Sequence, residues 1–301
     1  MPEPRAVASI SVDGAPHGLA TTKGAVWVAQ HRGRKVARID TAANRVAASV
    51  PVVGGQPGRM TTTEGALWLA LYGSNKLVRI DPERNEVVAT IELPGELCCG
   101  LASGAGAVWA VAIKVGEADQ FGASETGLLV RIDARTNRVL GTVPLGTAPG
   151  GVVFGGGAVW AAGRGRILRI DPAANRVVTS FPLPGRPAAF GAGGVWIAGL
   201  TDGSLARIDP RTNQVATIHL PGAGDPSGEI AGFIAVADGF DVWVASDGSS
   251  SLWRVDAGAQ VAHRAPLKTD VPVADLVFAD GTLWASLFDT NTVVRIDPGS
   301  E

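Results

Sequence analysis

Seven times along this chain a tryptophan in a Gly-x-(x)-Val/Leu-Trp setting is followed by Arg-Ile/Val-Asp. The tryptophans are Trp27, Trp68, Trp109, Trp160, Trp196, Trp243 and Trp284. Their partner aspartates are Asp40, Asp81, Asp133, Asp171, Asp209, Asp256 and Asp297, and in five of the seven units the two lie 13 residues apart. A period of roughly 40 to 45 residues with four short strands per unit marks propeller blades. The expected fold is therefore all-β, a seven-bladed propeller of four-stranded blades in a single domain spanning residues 1–301. Blades start near residues 18, 59, 100, 151, 188, 233 and 275.

Blade one shows the strand order. Residues 18–22 read as the innermost strand, 25–30 as the second, 35–40 as the third and 45–50 as the outer one. The second strand is apolar at successive positions (Val26, Trp27, Val28, Ala29), as a strand buried on both faces must be. Asp-Pro-x-x-Asn turns, such as Asp81-Pro82 with Asn85, join third to outer strands. Aspartate bonds the turn backbone, proline sets φ, and asparagine tolerates the left-handed conformation. Because every blade has such an aspartate and an arginine two positions before it, both read as scaffold. The last blade stops after its third strand, while a lone alternating segment at 5–12 precedes the first blade. That segment is expected to become the outer strand of the last blade, closing the ring and removing an exposed edge.

Forty glycines and nineteen prolines suit many short strands and tight turns. A net charge of -2 leaves no basic surplus to attract a phosphate backbone, so nucleic acid is not an expected partner. No apolar run approaches a membrane span and the opening Met1-Pro2-Glu3-Pro4-Arg5 has no signal-peptide core, so the expectation is a soluble, cytoplasmic monomer with no membrane partner. Cys98 and Cys99, the chain's two cysteines, cannot form a disulfide framework and are expected to be free thiols in a reducing compartment, the alternative being a vicinal disulfide between them.

Internal repetition also serves as a control: a residue type found in every blade is scaffold, whereas a polar residue confined to one blade needs another reason. Aligned on the tryptophans, the innermost strands place Gly18, Arg59, Gly100, Gly151, Ala188 or Ala189, Phe233 and Asp275 at one height near the channel mouth. Two of these are charged, and they belong to the blades on either side of blade one. Blade one adds His17, and its next loop adds Gln30, His31 and Arg32. An imidazole beside a carboxylate that orients it and a guanidinium that holds an anion forms a general acid/base arrangement. His17, His31 and Asp275 are the catalytic candidates. The substrate-binding candidates are Arg59, Gln30, Arg32 and Arg164, with Glu229 in the loop at 221–232. Tyr72, Phe121, Phe233, Trp253 and Phe288 are the aromatic candidates for an apolar pocket, Phe121 lying in the insertion at 113–127. The competing reading is a solvated rim where polar residues meet without consequence.

The blade pattern, Pro16-His17-Gly18-Leu19 through Gly24-Ala25-Val26-Trp27 to Lys35-Val36-Ala37-Arg38-Ile39-Asp40, resembles the virginiamycin B lyase-like propellers and the wider group built on YVTN-type repeats. Across the whole chain the resemblance implies the seven-bladed fold. It also implies a magnesium-dependent enzyme that opens a cyclic depsipeptide by elimination, with histidine and glutamate near the channel mouth. The family's Glu-Pro-His-Gly stands here as Ala15-Pro16-His17-Gly18, keeping the histidine and losing the acid. Its later glutamate falls at Gln30 or His31, and its second histidine meets Val273-Ala274. Four scattered histidines disfavour a multi-histidine metal centre, so Mg2+ enters by resemblance alone. The functional expectation is a pocket for a small molecule or peptide, in which a mouth histidine moves a proton as in a diverged C–O lyase. The alternative is a non-catalytic binding or protein-interaction module using the insertions at 113–127 and 221–232.

Overall fold

The computed structural model describes residues 3–115, 125–199, 203–222, 232–238, 241–246, 251–265 and 271–299. They form seven four-stranded antiparallel sheets, the blades of a seven-bladed β-propeller. Six blades use four consecutive strands; blade one, for instance, runs Pro16–Thr22, Ala25–Gln30, Lys35–Asp40 and Arg45–Pro51. In the seventh, Asp275–Ala279, Thr282–Leu287 and Thr292–Asp297 are joined by Arg5–Ser11 from the start of the chain, which pairs with Thr292–Asp297 from Arg5↔Asp297 to Ser11↔Thr292. No helix among the described residues is long and apolar enough to cross a membrane.

The chain falls into two compact units. One comprises Met1–Gly33, Ala37–Ser49 and Ala188–Glu301 and carries blades five, six, seven and most of blade one. The other, Arg34–Val36 with Val50–Pro187, carries blades two, three and four. Within each unit, neighbouring blades touch through their first strands: Gly232–Asp238 meets Asp275–Ala279, which meets Pro16–Thr22, and Gln56–Thr63 meets Glu96–Gly104, which meets Val152–Gly155.

The Trp-to-Arg spacing now has a physical cause. Each motif arginine lies beside its blade's tryptophan across the ladder, as in Trp68↔Arg79 and Trp284↔Arg295. There the guanidinium stacks on the indole, 5.2 Å from the ring centre at Arg169 and Trp160 and 5.9 Å at Arg38 and Trp27. All seven indoles are buried, and the N–H groups of Trp27, Trp109, Trp160, Trp196 and Trp284 find nearby acceptors, such as the Gly104 carbonyl for Trp109 at 3.2 Å. The turn reading also holds. Asn85, Asn137, Asn175 and Asn213 take φ between +52° and +62°, and Asp40, Asp81, Asp133, Asp171, Asp209 and Asp256 each accept the backbone N–H groups two and three residues on.

Those N–H groups set an acid limit on stability. Asp40, Asp81, Asp133, Asp171 and Asp209 are held below the ordinary value of 3.8, chiefly by backbone donors at Ala43, Arg84, Thr136, Ala174 and Arg211 respectively. A carboxylate whose folded value is depressed stabilises the fold in full above its unfolded value, and that contribution disappears as pH falls through the folded one. The melting temperature is therefore expected to hold down to about pH 4 and to fall below it, with a shallower acid slope in Asp81→Asn. An identical slope in the variant would show that the turn carboxylates do not set this limit.

Candidate functional site

The first unit assembles a compact cluster at the head of blade one. His17, on the first strand, and His31, just past the second, place their rings 5.4 Å apart at an interplanar angle of 32°. Phe288 approaches both, edge-on to His17 at 6.2 Å and tilted against His31 at 6.0 Å. The Arg32 guanidinium lies 5.0 Å from the Phe288 ring centre. The two imidazoles and the arginine are half-buried to exposed, so the cluster is open to a ligand.

Blade seven holds this cluster in place. Its Phe288–Thr290 single turn ends at Asn291, left-handed at φ 54°. Asn291 takes the Ala15 N–H on its side-chain oxygen at 2.8 Å and the Val12 N–H on its carbonyl at 2.8 Å. Ala15 itself is held at φ 59°, a conformation that costs a non-glycine residue of order 1 kcal/mol and survives where its surroundings dictate it. On the other side of His17, Asp275 is 6% exposed and accepts the Leu19 N–H at 2.8 Å on one carboxylate oxygen and the Leu276 N–H at 3.0 Å on the other. The Ser286 hydroxyl donates to the His17 carbonyl at 2.7 Å. Gln30 is buried and its amide donates to the Asp13 carbonyl, bracing the loop before His17.

Ser286 and Asn291 escaped the sequence reading although a signal for Ser286 was present. It stands two residues after its tryptophan, where five blades carry alanine, and is fully buried.

Trp253 is 1% exposed, packs among Trp196, Leu205 and Val242, and donates its indole N–H to the Pro221 carbonyl at 3.0 Å. It therefore belongs to the core and does not line an open pocket. Pairing register makes Phe233 the counterpart of His17, one position earlier than the level of Gly18 expected for it, and its ten-residue distance to Trp243, equal to that from His17 to Trp27, agrees. Phe121 and Glu229, with the tips of both long insertions, lie outside the described residues. Arg59, Tyr72 and Arg164 belong to the second unit. There Tyr72 covers Gly58, where a Cβ would fall 2.6 Å from the ring, so the ring takes the room beside Arg59 that a side chain at position 58 would need. The same unit has an open cleft of about 430 Å³ lined by Asn75, Leu93, Glu96, Ile113 and Lys114 among others.

Two expectations change. Cys98 and Cys99 are joined in a disulfide and are not free thiols, because consecutive residues in an irregular stretch of strand bring their sulfurs within bonding reach. Magnesium, implied by resemblance, prefers an octahedron of oxygen ligands. The cluster offers imidazole nitrogens instead, and no three His, Cys, Asp or Glu side chains among the described residues gather as a ligand set. The site does not fit magnesium.

No family model matches the sequence, and no curated protein matches it. The fold does match solved structures. Virginiamycin B lyase from Staphylococcus aureus, as the selenomethionine protein, gives a TM-score of 0.79 at 17% identity, covering 98% of this chain and 99% of that one. An inactive form of that lyase with quinupristin gives 0.78 at 17% identity over 98% and 99%. Hydrazine synthase from Kuenenia stuttgartiensis gives 0.77 at 13% identity over 95% and 96%. At such low identity the likeness establishes the fold.

Proposed function

We propose that the protein binds a small molecule or short peptide at the His17–His31–Phe288 cluster and catalyses a lyase-type elimination on a cyclic ester-linked peptide. The observation that carries this reading is the pairing of two open imidazoles 5.4 Å apart against one aromatic ring, in a blade that otherwise repeats its neighbours. An imidazole can take or give a proton as its surroundings require. One ring removes the proton from the carbon next to the scissile C–O bond, that bond breaks with its electron pair on oxygen, and the other ring hands a proton to the departing oxygen. Phe288 supplies an apolar wall, and Arg32, already stacked on it, pairs with an anionic group of the ligand. Asp275, Ser286 and Asn291 act as positioning residues, fixing the backbone on both sides of His17. Likeness to the lyase and its quinupristin-bound form supports the substrate class.

Quinupristin is the first probe. Ring opening by elimination leaves its mass unchanged and alters its chromatographic retention. His17→Ala and His31→Ala should each slow the reaction by about 10²- to 10⁴-fold, the range of a general acid or base. Variant rates equal to the parent's would remove the imidazoles from the mechanism. A second reading, a non-catalytic binding module, is favoured by Ala15, which stands where the resembled family has an acid, and by Gln30 and His31, one of which stands where it has another. A raised melting temperature with quinupristin but no conversion would select it.

A further inference from the structure

Independently of that reading, we propose that Cys98–Cys99 is a reversible thiol–disulfide couple, a redox site that exchanges with dithiols and low-molecular-weight disulfides. The pair sits on the first strand of blade three at a break in the ladder: Leu97 pairs with Ala112 and Leu101 with Ala110, so three residues, Cys98, Cys99 and Gly100, face Val111 alone. The corresponding breaks in blades one and two hold two residues each, His17-Gly18 and Gly58-Arg59. Counted from the resumed ladder, Cys99 stands where His17 stands in blade one. A bulge re-aims the side chains it carries, and in three blades it carries the residues that depart most from the repeat.

A structural staple is a poor explanation for this bond. A crosslink stabilises largely by closing a loop of unfolded chain, and a bond between neighbours closes none. Exposure and lability go together in disulfides, and both cysteines are only partly buried. Support comes from beneath: both pack against the cluster of Trp109, Val111 and Val152. Next in the chain, Gly100 lies so near blade four that a Cβ there would meet the Val152 amide nitrogen at 2.8 Å. With the backbone held on that side, the sulfurs stay adjacent when the bond opens and re-form it readily.

In the forward step a donor thiolate attacks one sulfur, the S–S bond breaks, and its electron pair leaves on the other sulfur, which takes up a proton. The donor's second thiol then attacks the mixed disulfide and frees the first cysteine. The dithiol ends as its own disulfide, and the protein gains two electrons and two protons. A small disulfide drives the reverse.

The test uses the full chain, poised in mixtures of reduced and oxidised dithiothreitol, trapped with N-ethylmaleimide without denaturant and weighed intact. Molecules with no label and with two labels should interconvert as the ratio changes, and exchanging the reduced protein into oxidised dithiothreitol before trapping should restore the unlabelled form. Parallel arms with reduced thioredoxin and with glutathione distinguish a protein donor from a small one, and reduction in either arm supports the couple. C98S, checked for an unchanged melting profile, should take one label without any reductant. Two labels at every ratio, no label until the chain is unfolded, or an unreactive Cys99 in C98S would each overturn the proposal.

Discussion

Trp109→Ala is expected to destabilise the protein by about 3–5 kcal/mol, the usual cost of deleting a large buried aromatic side chain. Its indole is fully buried among Val143, Val152, Val159 and Ile170 of blades three and four, with Arg131 5.4 Å from the ring and the N–H bonded to Gly104. Three effects are lost together, and their sizes decide which dominates. The stacked arginine contributes about 0.5–1 kcal/mol at a partly exposed site and the hydrogen bond about 1 kcal/mol. Packing therefore carries most of the loss. Trp109→Phe, which keeps a ring but loses the N–H and part of the volume, should cost less than half as much, and Arg131→Met about 1 kcal/mol or less. Urea denaturation followed by circular dichroism gives the comparison. A Trp109→Ala variant within 1 kcal/mol of the parent, or one no worse than Arg131→Met, would mean that the repeated indole does not hold adjacent blades together.

The same repetition explains how much was legible beforehand. Seven blades solve one packing problem with the same residues, so tryptophan, arginine and turn aspartate announce themselves, and a missing outer strand at the end points to the spare segment at the start. His17, His31, Arg32 and Phe288 were found by asking which polar or aromatic residues break the repeat. Applied to the innermost strands and the loops beside the mouth, that question missed Ser286, which breaks the alanine pattern of the second strand, and Asn291, which acts from a turn. Trp253 illustrates the opposite error. Its counterparts before the motif arginine are Ala37, Val78, Val130, Leu168, Ala206 and Val294, a uniformly apolar position, so the repeat already assigned it to the core. The Cys98–Cys99 bond lay beyond composition, since two cysteines count the same whether bonded or free; the local backbone decides.

Deleting residues 1–12 is expected to lower the melting temperature by roughly 10 °C and to make the protein associate. Ile10 and Val12 are 5% and 1% exposed, packed with Leu19, Val26, Val28 and Trp284 across blades seven and one. Burying each contributes about 1.5–3 kcal/mol, and in a chain this long each kcal/mol moves the midpoint by about 2–4 °C. The Arg5–Asp297 ion pair adds little, because the arginine side chain is 77% exposed; Arg5→Ala should melt close to the parent. Besides stability, the segment covers an edge. Without it, Thr292–Asp297 shows solvent a row of unpaired N–H and C=O groups, a template for another copy of the chain. The Val12–Asn291 bond would go as well, loosening the turn that carries Phe288, so ligand response at the His17 cluster should weaken along with the fold. Size-exclusion chromatography and thermal melts measure the first two effects. A synthetic peptide of residues 3–13 added in trans should reverse both, since it restores the ladder without restoring the covalent connection. A truncated protein that melts with the parent and elutes at the same volume would show that the closing strand is dispensable, and that blade seven is held by its three remaining strands alone.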